Sequence, residues 1–225
     1  MGQLCAKLSV MNHDETQVVA PSRAGRPTDE RKTEAILEAA RASFFGEGYA
    51  AASIERIAEH AGVSKVTIYK RFGDKVGLLE ALVRRQVKHM TKTISEANRD
   101  AATLEVQLFN FGYTLMSFLL EEKHFNFDSM LVAERQRHPE KTRRFFEAGP
   151  KIMRRELTAI LTTAHERGDL KLDQPQRAAE DLLSLWRGFN DVKARFGVAR
   201  TPSSSQIKTQ VRHGIDIFMR AYRAE

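Results

Sequence analysis

Apolar residues recur at helical spacing along this chain from about residue 28 onward, and no run alternates apolar with polar residues over the length of a strand. Spacings of three and four residues place side chains on one face of an α-helix, whereas a half-buried strand needs a period of two. Glycines interrupt this pattern at positions such as Gly46, Gly62 and Gly73, where helices are expected to end. The sequence therefore predicts an all-α fold.

These break points divide the chain into three parts. Residues 1–22 are predicted to be a disordered tail, or the product of an early start codon. Residues 23–75 are predicted to form an N-terminal domain of three helices, and a long fourth helix is expected to join it to a C-terminal helical domain within residues 76–225. Three helices have side chains suited to an N-cap before their first turn: Thr28, Ser53 and Ser64. The predicted helices span residues 28–46, 53–61, 64–72, 74–98, 104–122, 126–137, 139–147, 150–167, 175–196 and 204–222.

Composition restricts the class of partner. The 36 lysines and arginines outnumber the 29 acidic residues, which gives a net charge of +7 and a pI of about 9.6. An excess of this size favours a polyanionic partner. Cys5 is the only cysteine, which excludes an internal disulfide framework. No apolar run reaches the length of a membrane-spanning helix and no secretory signal is recognisable, so we expect a soluble, cytoplasmic protein with no membrane partner.

The segment 53–72 reads SIERIAEHAGVSKVTIYKRF and predicts two short helices joined by a tight turn at Gly62, where the backbone needs a positive φ. Val63, Ile68 and Phe72 are expected to pack inward. The side chains predicted to face outward are Ser64, Lys65, Thr67, Tyr69, Lys70 and Arg71. Residues 64–75 carry four basic side chains against one acidic, although residues 28–75 as a whole are balanced. A helix-turn-helix presents such a cationic second helix to the major groove of DNA.

The run from Gly25 to Phe72 resembles the DNA-binding domain of TetR-family transcriptional regulators. The shared pattern is a first helix, then S-I-x-x-I-A-x-x-A-G-V-S-x-x-T-I-Y-x-x-F, then Asp74-Lys75. The stretches R-H-P-E, F-F-E-A-G-P and R-G-D-L within residues 134–173 are similar to the AefR-like subgroup. The resemblance implies a homodimeric, sequence-specific transcriptional regulator, expected to be a repressor that a small apolar effector releases from a palindromic operator.

The resemblance also implies roles for individual residues. Ser53, Tyr69 and Lys75 would contact DNA phosphates. Ser64, Lys65 and Thr67 would approach bases or adjacent phosphates, and Lys70 and Arg71 would face the groove or the backbone. Arg23 and Arg26 precede the first helix, where they either form an arm in the minor groove or belong to a solvated linker.

The C-terminal half predicts a dimer surface and a pocket. Two apolar stripes are expected to serve the monomer core and a partner together, or internal packing alone: Ala178, Leu182, Leu185, Trp186 and Phe189, and Ile207, Val211, Ile215, Phe218 and Tyr222. The middle helices are rich in Phe and Met, which suit an apolar pocket but also an ordinary core. The predicted ligand-binding residues are Phe111, Met116, Met130, Phe145, Trp186 and Asn190, with Tyr113 and Asn110 as further polar anchors.

No catalytic constellation is recognisable. The seven histidines form neither H-x-x-x-H nor H-E-x-x-H, and no phosphate-binding glycine loop or nucleophile motif occurs, so we expect no enzyme activity, metal site or cofactor. The alternative is a helical small-molecule carrier or enzyme of the same fold without specific DNA binding. A third possibility is a non-specific nucleoid-type binder. Outward basic side chains argue against the carrier, and competition by unrelated DNA identifies the non-specific binder.

Overall fold

The computed structural model describes residues 26–121, 124, 134–136, 139–189, 192, 193, 196, 198 and 201–224. Over these residues the fold is all-α, as predicted, and the one piece of β-structure is an isolated antiparallel bridge between Leu170 and Arg223. A 3-10 turn covers Glu134–Gln136. The α-helices of the described ranges are α1 (Arg26–Gly46), α2 (Ile54–His60), α3 (Lys65–Phe72), α4 (Lys75–Asn98), α5 (Leu104–Leu119), α6 (Pro139–Ala148), α7 (Pro150–Glu166), α8 (Pro175–Arg187) and α9 (Ser204–Tyr222).

Side-chain caps explain why most of these helices start where they do. Ser53 and Ser64 accept hydrogen bonds from the backbone N–H groups of the first turns of α2 and α3, which confirms both predicted caps. Asp74 caps α4 in the same way. Ser203 forms a full capping box with Gln206 at the start of α9. These bonds satisfy donors that a helix start would otherwise leave unpaired.

Several predicted boundaries are wrong. Helix α1 starts at Arg26 and not at Thr28, because Pro27 fits the first helical turn and places Thr28 inside the helix. Arg26 therefore belongs to α1 and does not precede it. Helix α5 ends at Leu119, three residues earlier than predicted. Helix α8 ends at Arg187 and does not reach residue 196, because Gly188 takes a φ of +54° that stops the helix. The tail 1–22 and most of the helix predicted at 126–137 lie outside the described residues.

The N-terminal part, which we call the head, comprises α1, α2, α3 and the first turns of α4. Its core is closed by fully buried side chains from all four helices: Ile36, Phe44, Ile57, Ile68, Leu78 and Leu79. Val63 and Phe72 pack against this core as predicted. The turn at Gly62 has the expected positive φ of +63°. The head core extends to Leu82, so it needs the first eight residues of α4 to be complete.

The remaining helices form the body, in which α9 packs on α5 and α8, α8 packs on α7, and α6 packs on α4. Helix α4 belongs to both parts, since Val87, Met90 and Ile94 enter the body core. The indole of Trp186 is fully buried and lies against Gly112 of α5 and Gly214 of α9. A Cβ at either glycine would come within 2.8 Å of the indole ring, so both positions need glycine for three helices to meet there.

Most of each predicted apolar stripe is used inside the monomer. Ala178, Leu182 and Trp186 of α8 are buried in the body core, as is the inner face of α9. That inner face consists of Ile207, Val211, Ile215 and Phe218. Leu185 and Tyr222 are only partly buried, and Phe189, just past the end of α8, is 70% exposed. Among the described helices, none is long and apolar enough to cross a membrane.

Candidate DNA-binding face and effector cavity

Four side chains on two successive turns of α3 form an exposed ridge: Lys65, Val66, Tyr69 and Lys70. Lys65 and Lys70 lie at the surface, as predicted, and the Tyr69 side chain is 47% exposed. Lys65 is 3.9 Å from the Glu55 carboxylate, but both side chains are more than half exposed. The fourth member, Val66, is 67% exposed and was not predicted from the sequence. The ridge therefore combines two cations, a phenol and an aliphatic group, the side-chain types that contact phosphates, base edges and thymine methyl groups.

The outward orientation predicted for Arg71 is wrong. Its guanidinium forms an ion pair with Asp29 of α1 and donates a hydrogen bond to Thr33 Oγ1 at 2.7 Å. The reason is helical geometry: residue 71 follows Tyr69 by two positions, or about 200°, which turns it away from the ridge and toward α1. The contacts of Arg71 thus hold α3 against α1. Its Nε is buried and has no hydrogen-bond partner among the described residues.

The serine and threonine hydroxyl groups that were predicted to contact DNA form hydrogen bonds within the head. Ser53 Oγ accepts from the Arg56 N–H at 3.2 Å, and Ser64 Oγ accepts from the Thr67 N–H at 3.2 Å. The Ser64 and Thr67 hydroxyl groups also bond to each other at 2.9 Å. These bonds place the hydroxyl groups at the N-terminal ends of α2 and α3, where backbone N–H groups and the helix dipole attract anions.

Lys75, at the first position of α4, lies beside the loop that joins α1 to α2. Its Nζ donates to the Ala50 carbonyl at 3.3 Å and is 4.5 Å from the centroid of the Tyr49 ring. Burial and the nearby charge of Lys141 lower the pKa of Lys75. Burial, with a smaller effect of Asp74, raises the pKa of Tyr49 to about 12, so this phenol stays neutral at physiological pH.

A cavity of about 670 Å³ lies where the head meets the body. Its walls come from α1, α4, α5, α6, α7 and α8, and its apolar lining includes Leu82, Val87, Met90, Leu115 and Met153. This volume is within the range of small-molecule sites. Of the predicted ligand-binding residues, Met116 and Phe145 line this cavity.

Two other predicted ligand-binding residues do not reach this cavity. Phe111 and Trp186 are stacked on each other in the body core with ring centroids 6.1 Å apart. Because glycines on α5 and α9 let the indole enter the core, aromatic spacing alone could not separate core from cavity. Asn110 bonds to the end of α4 through Ala97 and Asn98, away from the cavity lining. Met130 and Asn190 lie outside the described residues.

The sequence analysis missed the polar groups of the cavity. Arg154 of α7 pairs with Glu180 of α8 at 2.6 Å, and both residues line the cavity. Gln86 of α4 and Ser184 of α8 line it as well. An apolar wall with a few convergent polar groups is the usual construction of a small-molecule site. The signal was present in the sequence as polar positions on otherwise apolar helix faces, but its meaning depends on which helices become neighbours.

A tight turn between α2 and α3, with α3 held on a closed core and its cationic ridge exposed, defines a helix-turn-helix DNA-binding protein. Sequence comparison agrees. The family model described as "Bacterial regulatory proteins, tetR family" matches residues 36–82. The model described as "AefR-like transcriptional repressor, C-terminal domain" matches residues 106–224, which is more than half of the chain. The chain belongs to the TetR family of transcriptional regulators.

Individual relatives support this assignment. The chain is 27% identical over 201 residues to the uncharacterized HTH-type transcriptional regulator YvkB of Bacillus subtilis (strain 168), covering 89% of this chain and all of YvkB. It is 39% identical over 71 residues to the HTH-type transcriptional repressor AcnR of Corynebacterium glutamicum, covering 32% of this chain and 37% of AcnR.

Solved structures give the same family. A crystal structure from Mesorhizobium loti MAFF303099 assigned to the TetR family superposes with a TM-score of 0.74 at 25% identity, covering 87% of this chain and 98% of that one. The flavonoid-responsive regulator FrrA superposes with a TM-score of 0.68 at 28% identity, covering 86% and 98%. Members of this family bind DNA and act as dimers, and the present chain is a transcriptional regulator of this type.

Proposed function

We propose that this protein is a homodimeric repressor that binds a palindromic operator through α3 and leaves it when a small, largely apolar molecule enters the cavity. The observation that carries the proposal is the placement of the cavity. Its walls include Arg41 and Phe45 of α1 and the shared helix α4, so an occupant contacts the head and the body together.

The DNA contacts follow from the exposed ridge. Lys65 and Val66 of the ridge face away from the head core and are the side chains that enter the major groove. Tyr69 and Lys70 of the ridge contact the phosphates. So do Lys75 and the hydroxyl groups of Ser53, Ser64 and Thr67, which lie beside the ridge. Arg71 is not among the contacts that we propose, because its guanidinium is engaged with α1.

A dimer is needed because one recognition helix reads only a few base pairs, and two-fold symmetry places two such helices about 34–36 Å apart on a palindrome. The apolar side chains left exposed at the ends of α8 and on α9 are suited to the partner. Phe189 is 70% exposed and Ile217 is 38% exposed, and Leu185 is only partly buried. We therefore place the dimer contact on the outer faces of α8 and α9.

Release requires an effector that binds the released conformation better than the DNA-bound one. The cavity supports such a preference because its lining is shared by α1, α4 and helices of the body, so a change in their relative positions would change its shape. Met90, Met116 and Met153 line the cavity, and methionine adapts to irregular apolar ligands. The Arg154–Glu180 pair gives the ligand one polar point of orientation.

The DNA part is tested by selecting bound duplexes from a random library with the purified protein. We expect a palindrome with two half-sites about one helical turn apart. Lys65→Ala should change the selected bases, whereas Tyr69→Phe should weaken binding to all sequences to a similar extent. Lys92→Ala, exposed on the body half of α4, serves as the control. Selection of unrelated sequences by the wild type would refute specific binding.

The cavity part is tested with an apolar fluorescent probe, N-phenyl-1-naphthylamine. The wild type should bind the probe, and Leu119→Trp, which adds a large ring to the cavity lining, should reduce that affinity at least about tenfold. Compounds that displace the probe are then assayed for release of the selected duplex. Equal probe binding by both proteins would show that the probe occupies another site, and displacing compounds without effect on DNA would contradict regulation through the cavity.

A further inference from the structure

Two lysines from different parts of the molecule share one tyrosine ring. Lys75 Nζ, from the head end of α4, lies 4.5 Å from the Tyr49 ring centroid, and Lys141 Nζ, from α6 of the body, lies 4.8 Å from it. Lys141 is the third residue of α6, and Lys75 is the first residue of α4. Both ammonium groups therefore lie at the N-terminal end of a helix, where the helix dipole is also positive.

The charges around this pair leave it with a net positive field. Among the described residues, neither lysine has a carboxylate within 4.0 Å. Asp74 is the nearest acidic residue in sequence, but its carboxylate accepts from the Gly77 N–H at 2.6 Å and lies 3.9 Å from Arg144. Glu80 pairs with Arg84 and Arg144, and Glu140 pairs with Arg143. Like charges held together without an acid between them favour binding of an external anion.

The location of the pair identifies the class of anion. Lys75 touches the loop that carries Ala50, and three residues later Ser53 caps α2, so the pair lies at the edge of the DNA-binding face. We propose that Lys141 of the body binds a DNA backbone phosphate together with Lys75, giving the operator a contact outside the helix-turn-helix. This inference rests on the proposed function, since it needs DNA to lie on that face.

Helix α6 gives this contact a regulatory consequence. Phe145 and Phe146, one turn beyond Lys141, line the effector cavity. The same short helix thus contacts the effector at one end and the phosphate at the other. An occupant that displaces α6 moves Lys141 relative to Lys75, so it weakens the DNA contact without first changing the distance between the two heads.

The experiment measures affinity for the selected duplex by fluorescence anisotropy over a series of salt concentrations. Lys141→Gln should weaken binding about threefold to tenfold and reduce the slope of log K against log[salt] by about 0.9, the value for one lost phosphate contact. The loss should be the same for a scrambled duplex, since a phosphate contact carries no sequence information. Lys141→Arg should restore the slope.

Lys208→Gln is the matched control, because it removes the same charge from a lysine that also lies over a ring, that of Tyr113 on α5, far along the chain from the head. Circular dichroism checks that all variants are folded. A Lys141→Gln protein with the affinity and slope of Lys208→Gln would overturn the inference and leave the proposed function standing. If the wild type itself does not bind DNA specifically, both the inference and the proposed function are overturned.

Discussion

The head and the body are built from the same kind of amphipathic helix, yet they pack differently. In the head, large side chains from four helices close a core on themselves, and ion pairs such as Arg85–Glu38 tie α1 to α4 at the surface. The body encloses a larger apolar cluster but leaves about 670 Å³ open at its junction with the head. A surface that reads DNA needs fixed geometry, whereas a site for a small molecule needs space that the surrounding side chains leave unfilled.

Truncating the head core should have the largest effect. Phe44 is fully buried, so Phe44→Ala should lower the free energy of unfolding by about 3–5 kcal/mol, since it removes a large apolar group and leaves a void. Phe146→Ala is the matched change at the cavity, where the ring is already 47% exposed, and should alter stability by less than about 1 kcal/mol. Urea denaturation followed by circular dichroism measures both. Similar losses would show that the two regions are packed alike.

Filling the glycine contact in the body should have the next largest effect. In Gly112→Ala the new methyl group would lie 2.7 Å from the Trp186 ring and 2.9 Å from Val211, both in a filled core. We expect a loss of about 1–3 kcal/mol from overpacking. Gly46→Ala, at the end of α1 with no atom within 4 Å, is the control. If Gly112→Ala left the free energy of unfolding unchanged, the body core would accommodate an added methyl group as easily as the cavity wall.

The contribution of the contact between α4 and α6 to stability should decrease at acidic pH. Hydrogen bonds from Arg84 and then Arg144 lower the pKa of Glu80, so this carboxylate contributes stability above its unfolded pKa of about 4.3. That contribution disappears as the pH falls through the lower pKa of the folded state. Glu80→Gln should therefore be less stable than the wild type by on the order of 1 kcal/mol at pH 7, and the difference should shrink as the pH falls toward 3. Thermal unfolding at both pH values tests this, and a constant difference would exclude the linkage.

Removing the contacts of Arg71 with α1 should have the smallest effect on stability. The Asp29 side chain is largely exposed, so Arg71→Ala should lose less than about 1 kcal/mol. If Arg71 only orients α3, binding to the selected duplex should weaken a few-fold while the salt slope stays unchanged. Asp29→Ala should behave in the same way, although it removes the opposite charge. A smaller salt slope in Arg71→Ala alone would mean that the guanidinium leaves Asp29 and binds a phosphate.

The head and the body also differ in how much of their structure could be predicted from the sequence. The helix-turn-helix was predicted closely, including the caps Ser53 and Ser64 and the positive φ of Gly62, because its signals lie within a few residues of one another. The orientation of Arg71 follows from helical periodicity but needs α1 as a neighbour to be recognised. The cavity could not be predicted in the same way. Phe111 and Phe145 were both predicted to bind the ligand, and only the packing of six helices places one in the core and the other on the cavity wall.

Because Leu78, Leu79 and Leu82 complete the head core, the boundary at residue 75 is not a place to cut this protein. A fragment ending there would expose the undersides of α1 and α3 to water, and a chimera joined there would impose a foreign helix on the head. Fusions that exchange sensing modules while keeping this DNA-reading unit should instead be joined beyond residue 82, in the exposed positions of α4 such as Arg84 or Lys88.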